Sequence, residues 1–314
     1  MGKILLDYAF PISTTEPTPD VNLGYLKKCA AMVKPNGDFT SAYAIEVYNA
    51  DDCKKYTENV SILKLFTGGL SAITLIVTDT LANADSLCDD SKFFTIGISG
   101  DFEESEAKAF APTEYKGVMF STITDASNVT QPKNTTYFLD KGYNTEGSFF
   151  AFGSFLSGTY WRDMQYLEAA KGSDDWTAAE TLGEANTLFD DGVSFWIKDD
   201  EYGTRLGFFG CGSNAIAYPY IKEEINREIQ SGGLKYLTVN QALKTSTERV
   251  RLEDYLNSII KPYELAPYSY LDPDKDNEIK LFDSNERYVM NGQMFTNVAE
   301  PLWRVKIEAI EGAI

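Results

Sequence analysis

Apolar and polar positions alternate with period two in several short stretches of the chain. Tyr43-Ala-Ile-Glu-Val-Tyr48 has this pattern. So does Leu302-Trp-Arg-Val-Lys-Ile-Glu-Ala-Ile310, where Trp303, Val305, Ile307 and Ala309 share one face and Arg304, Lys306, Glu308 and Ile310 the other. Each predicts a strand with one face to bury. Between them strand and helix signals take turns. Asn49 is placed to cap a helix from Ala50 with Tyr56, Val60, Leu63 and Phe66 on its apolar side, and Gly68-Gly69 to end it. Ala72 to Val77 reads as the next strand, so this unit predicts a parallel pair with a right-handed crossover. Lys92 to Ile98 and Gly117 to Ile123 are further strands, with an acidic helix between them capped by Asp101 and running to about Phe110. A short helix over about Thr135 to Lys141 precedes the apolar run Ser148 to Phe152.

The second half of the chain is less regular. Trp161 to Ala170 and Glu180 to Asp190 read as helical. Val193 to Lys198 and Arg205 to Phe209 read as paired strands joined by a turn at Asp199 to Gly203. A helix over Tyr220 to Gln230 is closed by Gly232-Gly233, and Thr245-Ser-Thr-Glu248 matches a capping box opening a helix that ends near Pro262. Pro262, Pro267 and Pro273 then lead into short strands at Glu278 to Phe282 and Arg287 to Met290, with Asn291-Gly292 as a turn signal before the final strand. At the other end, Lys3 to Ile12 is strand-like, and Ser13 to Asp20 holds two prolines among small polar residues, the composition of an extended spacer.

The pattern predicts an α/β protein: a mixed sheet core flanked by helices, with extended N- and C-terminal arms. Residues 1–30 form an arm and linker. Residues 31–262 form the core, with a second subdomain allowed beyond about residue 155. Residues 263–314 form a strand-rich C-terminal region and arm. A terminal strand must satisfy its backbone groups, either within its own subunit or by adding to a neighbour.

Charge narrows the role. The chain of 314 residues has 47 acidic against 28 basic residues, a formal charge of -19. Such a balance gives no general attraction for phosphate backbones or anionic membrane surfaces, so no direct nucleic-acid partner is expected. No apolar run is long enough for membrane insertion, and Asp7 interrupts the first apolar residues, unlike a signal peptide. The chain contains no histidine, which removes Ser-His-Asp and Cys-His catalysis. Cys29, Cys53, Cys88 and Cys211 lack metal-ligand spacing and read as free thiols of a reducing compartment.

The remaining motifs read as structure. Asp272 to Ile279 has acids at the first, third and fifth positions of a calcium loop, but Asn277 stands where glycine is needed. Gly207-Phe-Phe-Gly-Cys-Gly212 lacks the order and the lysine of a phosphate cradle. Asp101, Glu103, Glu104 and Glu106 suit a helix start. No catalytic, cofactor or metal residues are assigned.

The order of segments nonetheless resembles a known family. Ile62-Leu-Lys-Leu-Phe-Thr-Gly-Gly-Leu-Ser-Ala-Ile-Thr-Leu-Ile-Val77 is similar to the helix, double glycine and strand of contractile bacteriophage tail sheath proteins. Phe93 to Ile98 with its acidic helix, Gly117-Val-Met-Phe-Ser, Lys141-Gly-Tyr143, the helix around Arg249 to Ile260 and the ending Ala299 to Ile307 continue the likeness. The resemblance implies a structural protein of the virion tail, assembled in the host cytoplasm. Subunits would polymerise as stacked hexameric rings around a tail tube protein, meet baseplate and tail terminator proteins, and contract to drive the tube through the host envelope. It implies neighbour-linking arms, here assigned to Leu5 and Leu6 at one end and to Trp303, Val305 and Ile307 at the other. The chain is short for the family, which implies reduced outer domains. Two other readings stay open from the residues alone: another tail component such as a tube or connector protein, and an α/β enzyme using carboxylates.

Overall fold

A computed structural model describes residues 23–299, apart from positions 91, 113, 128, 130, 160, 162–163, 165–166, 170–175, 177, 213, 241 and 287–288. Five parallel strands and one antiparallel edge strand form a six-stranded sheet. Its strands are β1 (Cys29–Val33), β2 (Tyr43–Val47), β3 (Ile73–Val77), β4 (Thr95–Ile98), β5 (Val118–Ile123) and β6 (Thr135–Leu139), in the order β2-β3-β1-β4-β5-β6. The mixed α/β class is as expected. The crossover is not: β2 pairs with β3 antiparallel, from Tyr43 opposite Val77 to Val47 opposite Ile73.

The helix expected between these strands is two short pieces, α1 (Ala50–Cys53) and α2 (Lys64–Thr67). Asn49 does cap α1, its Oδ1 accepting from the Asp52 amide at 2.9 Å. Side chains then capture the backbone. Thr57 Oγ1 accepts from the Asn59 amide at 3.1 Å, and Asn59 Oδ1 from the Ser61 amide at 2.9 Å. Such local bonds compete with helix propagation. Without a long helix there is no crossover to return the chain parallel, and β2 folds back along β3.

β1 crosses residue 30 and lies at the centre of the sheet, with all five residues buried. β6 replaces the short helix expected over Thr135 to Lys141. Its Thr-Thr-Tyr-Phe-Leu sequence is β-branched and aromatic, and it pairs parallel with β5 along its whole length. Asp101 does not cap the next helix, α3 (Glu104–Ala109), whose N-cap is Glu103. Its carboxylate instead accepts from the Lys34 amide, Asn59 Nδ2 and Ser99 Oγ, joining three loops at the strand ends.

The apolar run Ser148 to Phe152 lies inside α4 (Glu146–Ser157), a helix buried nearly all round. Phe120 of β5 stacks on Phe152 at 3.9 Å between ring centroids and meets Phe149 edge-on. Residues 167–169 lie along a later strand instead of ending a helix. After β7 (Ala178–Ala179) comes α5 (Leu182–Asp190), capped by Thr181 Oγ1 accepting from the Glu184 amide. The expected hairpin follows as β8 (Phe195–Asp199) and β9 (Gly203–Phe208), antiparallel, with the start of β8 bridged parallel to β6. β10 (Gly210–Cys211) and β11 (Asn214–Ala215) make a small ladder.

The helix expected to stop at Gly232-Gly233 runs through them as α6 (Ala217–Asn240). Gly232 faces the following helix α7 (Ser246–Ile260), where a Cβ would meet the end of Ile259 at 2.2 Å. Close packing, not termination, accounts for that glycine. Thr245 Oγ1 accepts from the Glu248 amide at 3.2 Å, as the capping box predicts. β12 (Glu278–Asp283) and β13 (Met290–Phe295) form the last hairpin. Asn291 and Gly292 are paired within it, opposite Phe282 and Leu281, and the turn lies earlier, between Asp283 and Met290.

Gly68 and Gly69 end α2 as expected, Gly69 at φ +117°. Gly68 also packs on α4. A Cβ on Gly153 would lie 2.5 Å from the Leu65 carbonyl oxygen, and one on Gly68 2.6 Å from the Ser154 amide nitrogen. Backbone cannot yield as a flexible side chain does, so Gly153→Ala should destabilise the fold by about 1–3 kcal/mol despite alanine's better helix propensity. Urea unfolding measures this, and a gain in stability would show that α2 and α4 are free to separate.

Candidate functional site at the roots of the two chain ends

Segments 1–22 and 300–314 join the described body beside one helix. On the N-terminal side Leu23–Lys27 form a 3-10 turn before β1, with Tyr25 and Leu26 buried. The Tyr25 hydroxyl donates to Glu223 Oε1 of α6 at 3.0 Å, and the same oxygen accepts from Arg227 Nε at 2.6 Å. The Arg227 guanidinium lies 4.5 Å from the centre of the Tyr25 ring, and its side chain is 1% exposed. Lys27 donates to the Gly158 carbonyl and sits over the Trp161 ring.

Trp161 carries the contact onward. Its Nε1–H donates to Glu224 Oε2 at 2.5 Å, and its amide to the Tyr270 hydroxyl at 3.3 Å. The Tyr263 hydroxyl interacts with Glu224 and Glu228. The Tyr263 carbonyl accepts from the amides of Tyr270 and Leu271. Residues 270–272 then run antiparallel to 297–299: Leu271 bridges Val298, and the Ala299 amide donates to the Tyr270 carbonyl at 2.8 Å. Adjacent carboxylates on α6, Glu223 and Glu224, therefore hold Tyr25 on one side and Tyr263 on the other. α6 is itself fixed to the sheet by Tyr220, fully buried against Phe94, Phe155 and Trp161, with its hydroxyl 2.6 Å from Thr95 Oγ1.

Burial pushes the Glu223 carboxyl up, against the pull of Arg227. It also pushes Glu224 up; Trp161 and Lys27 oppose the rise and Glu228 adds to it. The hydroxyls of Tyr25 and Tyr263 are raised far above the usual tyrosine range, chiefly by burial.

The last hairpin is the second feature. β12 is met on its outer edge by α7 side chains. Asn257 Oδ1 accepts from the Ile279 amide at 2.7 Å while its Nδ2 donates to the Ile279 carbonyl at 2.9 Å, and Glu253 Oε2 accepts from the Leu281 amide at 2.7 Å. Asn257 presents one donor and one acceptor to a single residue, as a paired strand would. Among the described residues the far edge of β13 has no strand beside it. Phe282 and Phe295 are 42% and 45% exposed on the hairpin.

Leu5, Leu6, Trp303, Val305 and Ile307, the expected linking residues, lie outside the described residues. Their roots do not. The sequence carried one sign of the clamp, Glu223 and Arg227 four apart on a marked helix, but that spacing is equally that of a solvated helix face. Nothing local pointed to Tyr25, Trp161 or Tyr263.

The other motifs take structural places. Asn277 organises the loop after Asp272, donating to the carbonyls of Asp272 and Lys275 and accepting from the Asn297 amide. Among the described residues no three Cys, Asp or Glu side chains are grouped to hold a metal ion. Cys211 is buried between strands, its thiol pushed up to about 12 by burial. All four cysteines are free. No helix among the described residues is long and apolar enough to cross a membrane.

No protein-family model matches the chain. No curated protein matches it either. Solved structures do match by fold. The structure of the PVC sheath complex of an extracellular contractile injection system, in its contracted state, superposes with a TM-score of 0.66 at 10% identity, over 91% of this chain and 92% of that one. A chain of the six-fold-symmetrised anti-feeding prophage baseplate gives 0.67 at 10% identity, over 95% and 96%. The sheath tail protein of Desulfitobacterium hafniense gives 0.53 at 8% identity, over 88% and 98%. The chain has the fold of contractile sheath proteins. It spans nearly the full length of each of these three chains.

Two outcomes test the α6 clamp. Arg227→Ala strands the buried Glu223 charge and should cost about 3–5 kcal/mol in chemical denaturation. The pH dependence follows from the raised carboxyls. A group whose folded pKa lies above its unfolded one binds more protons when folded, so its contribution to stability falls as pH rises through that window. Glu224→Gln keeps an acceptor for Trp161 and removes the titration, so stability should decline less as pH rises above the ordinary carboxylate range than in the unaltered chain. Identical slopes would show that Glu224 ionises in the folded state as it does in the unfolded chain.

Proposed function

We propose that this chain is a structural subunit of a contractile phage tail sheath. It polymerises as stacked hexameric rings around a tail tube, meets baseplate and terminator proteins at the ends of the stack, and contracts to drive the tube through the host envelope. Its role is mechanical and not enzymatic. The observation that carries this reading is fold likeness to sheath proteins over nearly the whole chain at TM-scores of 0.53 to 0.66. The geometry of the body supports it. The body from Leu23 through α7 acts as a rigid unit, since β1 crosses the expected division at residue 30, and the segments before and after it act as connectors. Both connectors are tied to α6 at their roots, through Tyr25 and Tyr263, so force applied to either reaches the same helix. Leu5, Leu6, Trp303, Val305 and Ile307 supply strands to neighbouring copies. The hairpin β12–β13 is the acceptor, because β12 is already closed by Asn257 and Glu253 while β13 offers an edge.

Negative-stain microscopy of the purified protein tests the reading. Striated hollow tubes with six-fold rings are expected. Isolated rings would favour a connector, and a monodisperse monomer at high concentration would count against any assembly role. Deleting Leu302 to Ile314 should leave a folded monomer with the circular dichroism of the full chain and no tubes; tubes from the truncated chain would remove the C-terminal arm from the mechanism.

A further inference from the structure

A groove of about 360 Å³ lies over β5 and β6 on the sheet face away from α4. Met119 and Ser121 form its floor and Tyr115 one wall. Lys108, Lys116 and Lys133 line it, and no carboxylate does. On a chain of 47 acidic and 28 basic residues, three lysines without an acid among the lining residues make a local reversal of charge. Lys108 pairs with Glu104; Lys116 and Lys133 stand two residues before β5 and β6, at the N-terminal ends of those strands.

The other end of the body carries a complementary shape. β8 runs parallel to β6, so the β8–β9 turn lies beyond the C-terminal ends of the strands. Its tip, Asp200-Glu201-Tyr202, is exposed, with Tyr202 at 63%. An acidic projection tipped by an aromatic ring thus stands at one end of the sheet, and an apolar pocket with a basic rim opens toward the other.

We propose that the β8–β9 tip of one copy seats in the β5–β6 groove of a second copy, with Tyr202 in the pocket and Asp200 and Glu201 against the lysine rim. The occupant is a second copy because the same chain carries both the acidic, ring-tipped turn and the lysine-rimmed groove, at opposite ends of the body. Two such copies would otherwise repel at -19 each, and this contact pairs opposite signs. Projection and pocket lie at opposite ends of the body, so the contact is head-to-tail. Contacts of that kind do not close into a two-fold dimer; they propagate. This deepens the assembly role proposed above and rests on self-association, but on neither the tube nor contraction.

The test is cross-linking between full-length copies that carry Cys88→Ser, since Cys88 is the one cysteine not buried. One preparation bears Glu201→Cys and the other Lys116→Cys, and the mixture is treated with a short bismaleimide. A dimer band in the mixture and in neither preparation alone is expected. Adding Tyr202→Ala to the first preparation should lower its yield roughly ten-fold, and raising salt should weaken it as screening of the rim charges predicts. In a separate assay Lys116→Glu should weaken self-association measured by sedimentation, and Glu201→Lys in the same chain should restore it. No mixed band, or no rescue by the charge exchange, overturns the contact. Tubes that form without the mixed band overturn it while the sheath reading stands. The mixed band in a protein that never forms tubes upholds the contact and counts against the sheath.

Discussion

One turn of one helix has to bury ionisable groups, and much of the architecture follows from how they are satisfied. Arg227 is almost wholly out of water, and Glu223 and Glu224 are largely so. A buried charge without partners is far costlier than the pair itself is worth. The partners therefore matter more than the pair. They come from distant parts of the chain: Tyr25 from before the first strand, Trp161 from the middle, Tyr263 from after the last long helix. Replacing the set with apolar side chains of equal volume would be neutral or stabilising by the same reasoning. What the polar set adds is position. A hydroxyl must meet a carboxylate at about 3 Å, whereas apolar surfaces can slide. The arrangement locates the departure of both chain ends relative to α6 more sharply than apolar packing would.

The same logic of satisfaction explains the last hairpin. An isolated two-stranded ladder is marginal in water and presents two edges. α7 removes one of them with side chains, Asn257 imitating a residue of a neighbouring strand and Glu253 taking the next inward amide. Leu252, Leu256 and Ile260 are the buried residues of α7, and Ile279 is the most buried residue of the hairpin. The ladder is thus stabilised from one side, and one edge stays available. An edge left open in this way, beside two exposed phenylalanines, is an aggregation hazard in a monomer and an asset in a protein that polymerises by strand addition.

Much of the architecture was legible along the chain, and its failures have identifiable causes. Where one face is polar, period-two alternation marked the strand, as at Tyr43 to Val47. Side-chain caps marked helix starts at Asn49 and Thr245. β1 escaped notice because Cys-Ala-Ala-Met-Val is buried on both faces and has no alternation to show. β6 was read as helical against its own β-branched and aromatic sequence, which favours the strand that pairs with β5. Gly232 was read as a terminator because sequence cannot show that another helix crosses there. The clamp on α6 was the least legible part. Its members are separated by up to about 240 positions and share no motif, so only the folded chain brings them together.

A parallel sheet requires cover on both faces, since its strands are apolar throughout. α4 with its aromatic residues covers one face, joined there by Leu65 of α2 and by Tyr220 of α6. On the other face the 3-10 segment Leu81–Leu87 and α3 cover β1, β3 and β4, with Leu81, Ala84, Phe102 and Ala107 packed on Ala30, Met32, Ile76 and Ile96. That cover stops short of β5 and β6, where the sheet floor is reached through a groove. Chain was available to close it: the loops before β5 and β6 both pass its rim. They bring lysines and prolines to the edge and no helix across it. A gap in the cover of a buried sheet, with three lysines and no carboxylate among the residues that line it, is a surface suited to an acidic visitor, and the β8–β9 turn beyond the opposite ends of these strands is an acidic tip that carries an exposed ring.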